Sequence, residues 1–243
     1  MLQAAVLAAI PLLLSSAPEP IVELDHVLIS VTPGAPERSA LERAGFIVWP
    51  EVQRHDGQGT SSIMAELDRC FIELVWRDSS VTVAPDKEVV ARKYALRSNW
   101  RPSGWSPFAI ALRRTAPAPD SLPFPTWPVT VPWRPATDVT QVITARSDST
   151  SPSVWVVSRS TATDKSAAPA AARAHPNGAR RITGLHLTIP RNTPESEALA
   201  VLRTYGVAEL VRGDSWLLTV TLDSMAQKRV RDLRPTLPLI VRF

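Results

Sequence analysis

The chain has one cysteine, Cys70, in 243 residues, and that scarcity removes several chemistries at once. A lone thiol closes no intramolecular disulfide and builds no thiolate metal cage. Cys70 opens an apolar run and reads as a small buried hydrophobe rather than a nucleophile. Cysteine usage therefore leaves the compartment undecided. There is also no G-x-G-x-x-G, no phosphate-binding G-x-x-x-x-G-K-[ST], no G-x-S-x-G and no C-x-x-C. Nucleotide-binding, serine-hydrolase and redox-thiol readings have nothing to rest on. Lysine is scarce as well: four of the 27 basic residues, the other 23 being arginine. The formal charge is +4, yet the arginines are scattered and no basic run is interleaved with aromatics. A nucleic-acid partner is not expected.

What is present is enough to build a core. With 44% hydrophobic and 21% charged residues, the chain is globular rather than disordered. Residues 1–20, "MLQAAVLAAIPLLLSSAPEP", form an uncharged apolar run ending in small residues. Its length suits a secretory signal better than a membrane span, so no integral membrane protein is expected. Two features count against a signal: there is no Lys or Arg at its start, and Pro11 interrupts the run. The other reading is an apolar N-terminal helix. Secretion or a periplasmic location is favoured, with the cytoplasm as the alternative.

The chain then repeats itself. "LDHVLISV" and "GLHLTI" are strands with one wholly apolar face and one mixed face, and the mixed face carries His26 in the first and His186 in the second. A helix signal follows each. In "PGAPERSALERAGF", Pro36 suits a first turn, Ala40, Leu41 and Ala44 form a stripe, and Gly45 is a stop. In "NTPESEALAVLRTYGV", Thr193 is the expected N-cap, Pro194 the first helical residue, Leu199 and Leu202 point inward, and Gly206 is the stop. The prolines lie 158 positions apart, the histidines 160 and the glycines 161, a spacing that reads as a duplicated β-α-β unit.

Each copy runs into further strands: "GFIVWPEV", "TSSIMAEL" and "CFIELVW" in the first, "GVAELV", "SWLLTVTLD" and "LPLIVRF" in the last. Four more strand signals lie between them, "SPFAIALRR", "WPVTVPW", "TQVITAR" and "SVWVVSR", broken by proline-rich loops. The expected fold is α+β, repeated β-α-β-β-β units forming curved, mostly antiparallel sheets with helices outside. The division is 21–160 for the first two units, 161–180 for a linker low in bulky apolar residues, and 181–243 for the C-terminal unit.

A unit opening on "LDHVLISV" resembles the vicinal oxygen chelate superfamily of glyoxalases, extradiol dioxygenases and bleomycin-resistance proteins. More narrowly, "HDGQGTSSIMAELDRCFIELVW" and "HPNGARRITGLHLTIP" are similar to a bacterial glyoxalase-like domain family, over roughly residues 22 to 222. The resemblance implies a cupped sheet made from paired units with a pocket inside. It also implies metal ligands on the first and last strands of a unit, which puts His26, Glu73 and His186 forward as ligands of one divalent ion, zinc, nickel, iron or manganese. On that reading Glu73 or a bound water moves the proton in a lyase, isomerase or ring-cleaving dioxygenase. The other reading is a metal-free protein that binds or sequesters a small polar or aromatic molecule, with a homodimer left open. "LPLIVRF" offers no carboxylate, histidine or glutamine for a fourth ligand. If the middle strands partner the first unit, His186 belongs to a separate third one.

Three further groups stand beside these. His55, Gly57 and Gly59 in "RHDGQGT" are either a plain turn or a nest of backbone amides facing an anion. Trp100, Arg101 and Trp105 in "RSNWRPSGW" are candidates to cap a ligand. His175 in "HPNG" reads as a turn residue. Trp49, Trp76, Trp155 and Trp216 fall in strand runs and read as core.

Overall fold

The structure, a computed structural model, describes residues 20–115, 121–143, 150–160 and 169–243. The apolar N-terminal run up to residue 19 and linker residues 161–168 lie outside the described residues.

Thirteen strands are described, in two sheets. The first eight are β1 (Val22–Ser30), β2 (Gln53–His55), β3 (Thr60–Glu66), β4 (Phe71–Arg77), β5 (Phe108–Arg114), β6 (Trp127–Thr130), β7 (Val139–Val142) and β8 (Ser153–Ser160). They form one curled mixed sheet in the order β2-β3-β4-β1-β5-β8-β7-β6. The order is two copies of one plan. Within each four-strand unit the first strand lies parallel to the last, β1 to β4 and β5 to β8, and the two units join through antiparallel β1 and β5. The middle strands therefore partner the N-terminal unit.

Helix α1 (Arg38–Arg43) follows β1 and turns at Gly45, whose φ of +84° is open to glycine at little cost. A helix with no counterpart among the expected elements, α2 (Glu88–Ser98), continues into a short α3 (Trp100–Ser103) between the two units. Its apolar stripe is thin: Ala91 is buried, whereas Val89 is exposed. The expected strand "GFIVWPEV" forms no ladder until Gln53. Phe46 and Val48 are buried, and only the Trp49 amide bonds to β3, at the Met64 carbonyl (2.8 Å).

The remaining strands, β9 (Ile182–Pro190), β10 (Glu209–Gly213), β11 (Leu217–Leu222), β12 (Val230–Asp232) and β13 (Leu239–Arg242), make the second sheet, ordered β10-β9-β11-β13-β12. Here the first strand pairs in parallel with the second, β9 with β10, through helix α4 (Glu197–Thr204). The β-α repeat is thus local, and the two copies assemble their strands differently. The expected cap shifts too: Ser196 Oγ accepts from the Leu199 amide, and Thr193 sits in the preceding turn. Leu199 and Leu202 are fully buried, and Gly206 ends the helix with φ +65°.

One apolar core joins the sheets. Val27, Ile29, Ile72, Leu74, Ile110 and Val154 from the large sheet share it with Leu187, Leu199, Val220 and Phe243. The HPNG turn fastens them together. His175 Nδ1 accepts from the Ile47 amide (3.0 Å) and its Nε2 lies 2.7 Å from the Glu66 carbonyl, which fixes a neutral tautomer with the proton on Nε2. The Asn177 side chain donates to the Ala44 carbonyl (3.1 Å). A Cβ on Gly45 would stand 2.9 Å from Asn177 Cβ, so glycine is needed there for close approach as well as for its φ. Among the described residues no helix is long and apolar enough to cross a membrane.

Candidate functional site

The large sheet buries its apolar face in that core, and its mixed face lies on the other side, under helix α2. The register sets the layout. Across the ladder run Phe71 (β4), His26 (β1), Ala111 (β5) and Trp155 (β8). The next row is Met64, Glu73, Leu28, Ala109 and Ser153. Ala109 and Ala111 are the small side chains of these rows, and both are buried. His26 stacks on Phe71 with ring centroids 4.1 Å apart and meets Trp155 edge-on at 6.2 Å.

Asp25 should point away from His26, since neighbours on a strand alternate. It does not, because the pairing of β1 with β5 shifts register between Leu24 and His26. The bulge turns the Asp25 carboxylate, fully buried, onto His26 Nδ1 at 2.5 Å. Arg113 stands behind, 3.8 Å from Asp25 and 2.8 Å from Glu23. With Nδ1 held by a carboxylate, Nε2 is the free end of the ring, and it faces Glu73 Oε2 at 3.6 Å.

That distance is too long for a hydrogen bond. Glu73 is 6% exposed and makes no hydrogen bond to any described residue. Ser62, on the same face, is fully buried, and its hydroxyl has no hydrogen-bond partner among the described residues. Buried polar groups are normally satisfied, and each exception calls for a reason.

The rim is aromatic. His55 stacks on Trp133 (4.6 Å between centroids), which joins the β2 edge of the sheet to the segment following β6 at the other edge. His55 Nδ1 is 2.9 Å from Thr60 Oγ1, to which Gln58 also donates. Burial holds the His55 pKa below its ordinary value, with the nearby Glu73 charge opposing that shift. Helix α2 crosses the mixed face and packs Tyr94 beside Trp155 against Leu28, Val75 and Ala109. Burial pushes the Tyr94 hydroxyl up to about 12.

The proposed ligands are thus brought together in part. His26 and Glu73 meet. His186 lies in the other sheet, half-exposed, 3.3 Å from Glu209. No group of three His, Cys, Asp or Glu able to hold a metal occurs among the described residues, so the three-donor set does not fit. The amides of "HDGQGT" are spent within the protein: Gly57 donates to Thr82, and Gln58 and Gly59 donate to the His55 carbonyl. This is the turn, not an anion nest; Gly57 and Gly59 have φ of +83° and +73°. Trp100 packs on the main core with Arg101 stacked over it, and Arg101 bonds to the Pro235 carbonyl of the C-terminal unit. Trp105 lies near Arg97, whose guanidinium donates to the carbonyls of Ser106, Phe108 and Ser151. Trp155, expected in the core, packs half-buried on the small cluster of Leu28, Val75 and Ala109 on the mixed face and meets His26 edge-on. Cys70 is buried, and burial raises its thiol to about 11.

Sequence reasoning missed Asp25, Ser62, Phe71, Tyr94 and Trp133. Asp25 left a signal, a carboxylate inside an apolar strand beside the histidine, which is costly unless paired. The others left none.

No known family profile and no curated protein matches this sequence. Among solved structures, a hypothetical protein from Staphylococcus aureus is similar with a TM-score of 0.52 at 10% identity, covering 92% of this chain and 98% of that one. At that identity the likeness is one of fold. A xylose isomerase-like TIM barrel/4-hydroxyphenylpyruvate dioxygenase fusion protein gives a TM-score of 0.43 at 13% identity over 82% of this chain, which spans only 36% of the fusion's length.

Proposed function

We propose that this is a glyoxalase-like protein of the vicinal oxygen chelate type that binds a small polar or aromatic molecule in the cup of its eight-stranded sheet, without a metal ion. The observation that supports this best is a buried carboxylate, Glu73, that no described residue hydrogen-bonds, on the same face as the Ser62 hydroxyl and next to His26, which Phe71 and Trp155 flank. Binding sites have this composition: apolar walls and a few convergent polar groups. The strand plan and the glyoxalase-like segments agree with such a pocket. A divalent-metal lyase, isomerase or dioxygenase is the second reading. It draws on the 3.6 Å between His26 Nε2 and Glu73 Oε2, a spacing that suits two neighbouring ligands of one ion, but it falls one protein donor short of the usual three.

The test joins a ligand-detected NMR screen of polar aromatic fragments to elemental analysis of untagged protein. Binding that weakens in Trp155→Ala, with metal well below stoichiometric, is the expected result. Stoichiometric metal lost in a His26→Ala, Glu73→Ala double variant moves support to the second reading. Fragment binding indifferent to Trp155 overturns the pocket.

A further inference from the structure

The resemblance implies a ligand offering two adjacent oxygens to an ion. The groups in the cup ask for the opposite. Two carboxylate oxygens offer about four acceptor sites, and at Glu73 no described residue fills one with a hydrogen bond. His26 Nε2, the end of the ring not held by Asp25, lies 3.6 Å from Glu73 Oε2, beyond hydrogen-bond range. The guanidiniums nearby are committed elsewhere: Arg113 to Glu23 and Asp25, Arg77 to the Gly59 and Asp78 carbonyls, Arg97 to three carbonyls, Arg134 to Asp138. The walls are π faces, Phe71 and Trp155 beside His26, with Tyr94 above and Trp133 at the rim. A carboxylate guest would meet like charge in a desolvated site, whereas a cation gains both the carboxylate and the rings.

We propose that the cup takes an organic cation, a protonated amine or amidinium carried on an aromatic body, with Glu73 as the group that recognises the charge. The inference rests on the pocket reading above. The ligand nitrogen lies against Glu73 and donates to it, Ser62 takes a second polar contact, and the aromatic body lies along Trp155.

The test is a saturation-transfer NMR titration of the full chain with three matched probes, benzylamine, benzyl alcohol and benzoate. It is run on wild type, Glu73→Gln and Trp155→Leu, with near-UV circular dichroism to verify packing. Benzylamine is expected to bind at least tenfold more tightly than the alcohol, about 1.4 kcal/mol, and benzoate most weakly. Glu73→Gln levels amine and alcohol; Trp155→Leu weakens both. Benzoate binding as tightly as the amine, or an amine preference that survives Glu73→Gln, overturns the ligand class and leaves the pocket standing if Trp155→Leu still weakens binding. No binding by any probe, or binding indifferent to both substitutions, overturns pocket and class together.

Discussion

Two histidines 160 positions apart occupy the same slot of a β-α pair, and each faces a glutamate on the strand lying parallel to its own. His26 meets Glu73 on β4, the last strand of its unit, in a buried pair. His186 meets Glu209 on β10, the next strand in sequence, with the glutamate side chain 73% exposed. The residue before each histidine separates them further: Asp25, bulged onto the imidazole, in one copy and Leu185, buried in the core, in the other. A repeated slot fixes the strand face. What surrounds the face decides whether the slot becomes a site.

The comparison breaks most sharply at the backing carboxylate. Asp25→Ala strips His26 of its partner and leaves Arg113 buried with one fewer counter-charge, and should cost roughly 3 kcal/mol in urea denaturation. The matched pair of histidine variants comes next. His26→Ala removes a charged hydrogen bond and a stacked ring, about 2 kcal/mol, whereas His186→Ala should stay within about 0.5 kcal/mol. Equal losses in the two would erase the distinction drawn between the copies.

A smaller effect depends on pH. Burial lowers the pKa of both His55 and His175 below the ordinary 6.5. A lowered value means the folded state prefers the neutral ring. The stability this brings is whole above pH 6.5 and is lost as pH falls toward the folded value. Protonation also puts a proton on His175 Nδ1, opposite the Ile47 amide that it now accepts from. The melting temperature should therefore fall between pH 7.5 and 5, and fall less in His175→Gln; identical curves would contradict it. Least of all, Glu209→Ala should leave the melting temperature unchanged, an exposed ion pair being worth little.

Strand faces and the helix stops at Gly45 and Gly206 were legible, because period-two burial and a positive φ are local demands. The meeting of His26 with Glu73 was reachable only through the family resemblance, since the register of β1 with β4 is set by long-range pairing. The different assembly of the C-terminal unit left no local trace. Both copies send a helix after the first strand, and only the loops and the packing partners determine which strand lies beside it. Helix α2 escaped because it covers the cup with little more than Tyr94 and Ala91, too thin a stripe to read as amphipathic. The bulge at Asp25 is one residue of misregister, invisible without a partner strand.

The stack of His55 on Trp133 has a meaning beyond the pocket. The ends of an eight-stranded sheet are rows of unsatisfied amides and carbonyls, ready to template a neighbour and grow into a fibre. Here the terminal strands β2 and β6 have only three and four residues. Pro128 lies within β6 and Pro132 just after it, and Pro132 packs so close to Gly57 that a Cβ there would stand 2.7 Å away. At that seam the turn after β2 and the segment after β6 meet through Gly57 with Pro132 and His55 with Trp133, so the short, largely exposed edge strands are pinned and interrupted where they could template a neighbour.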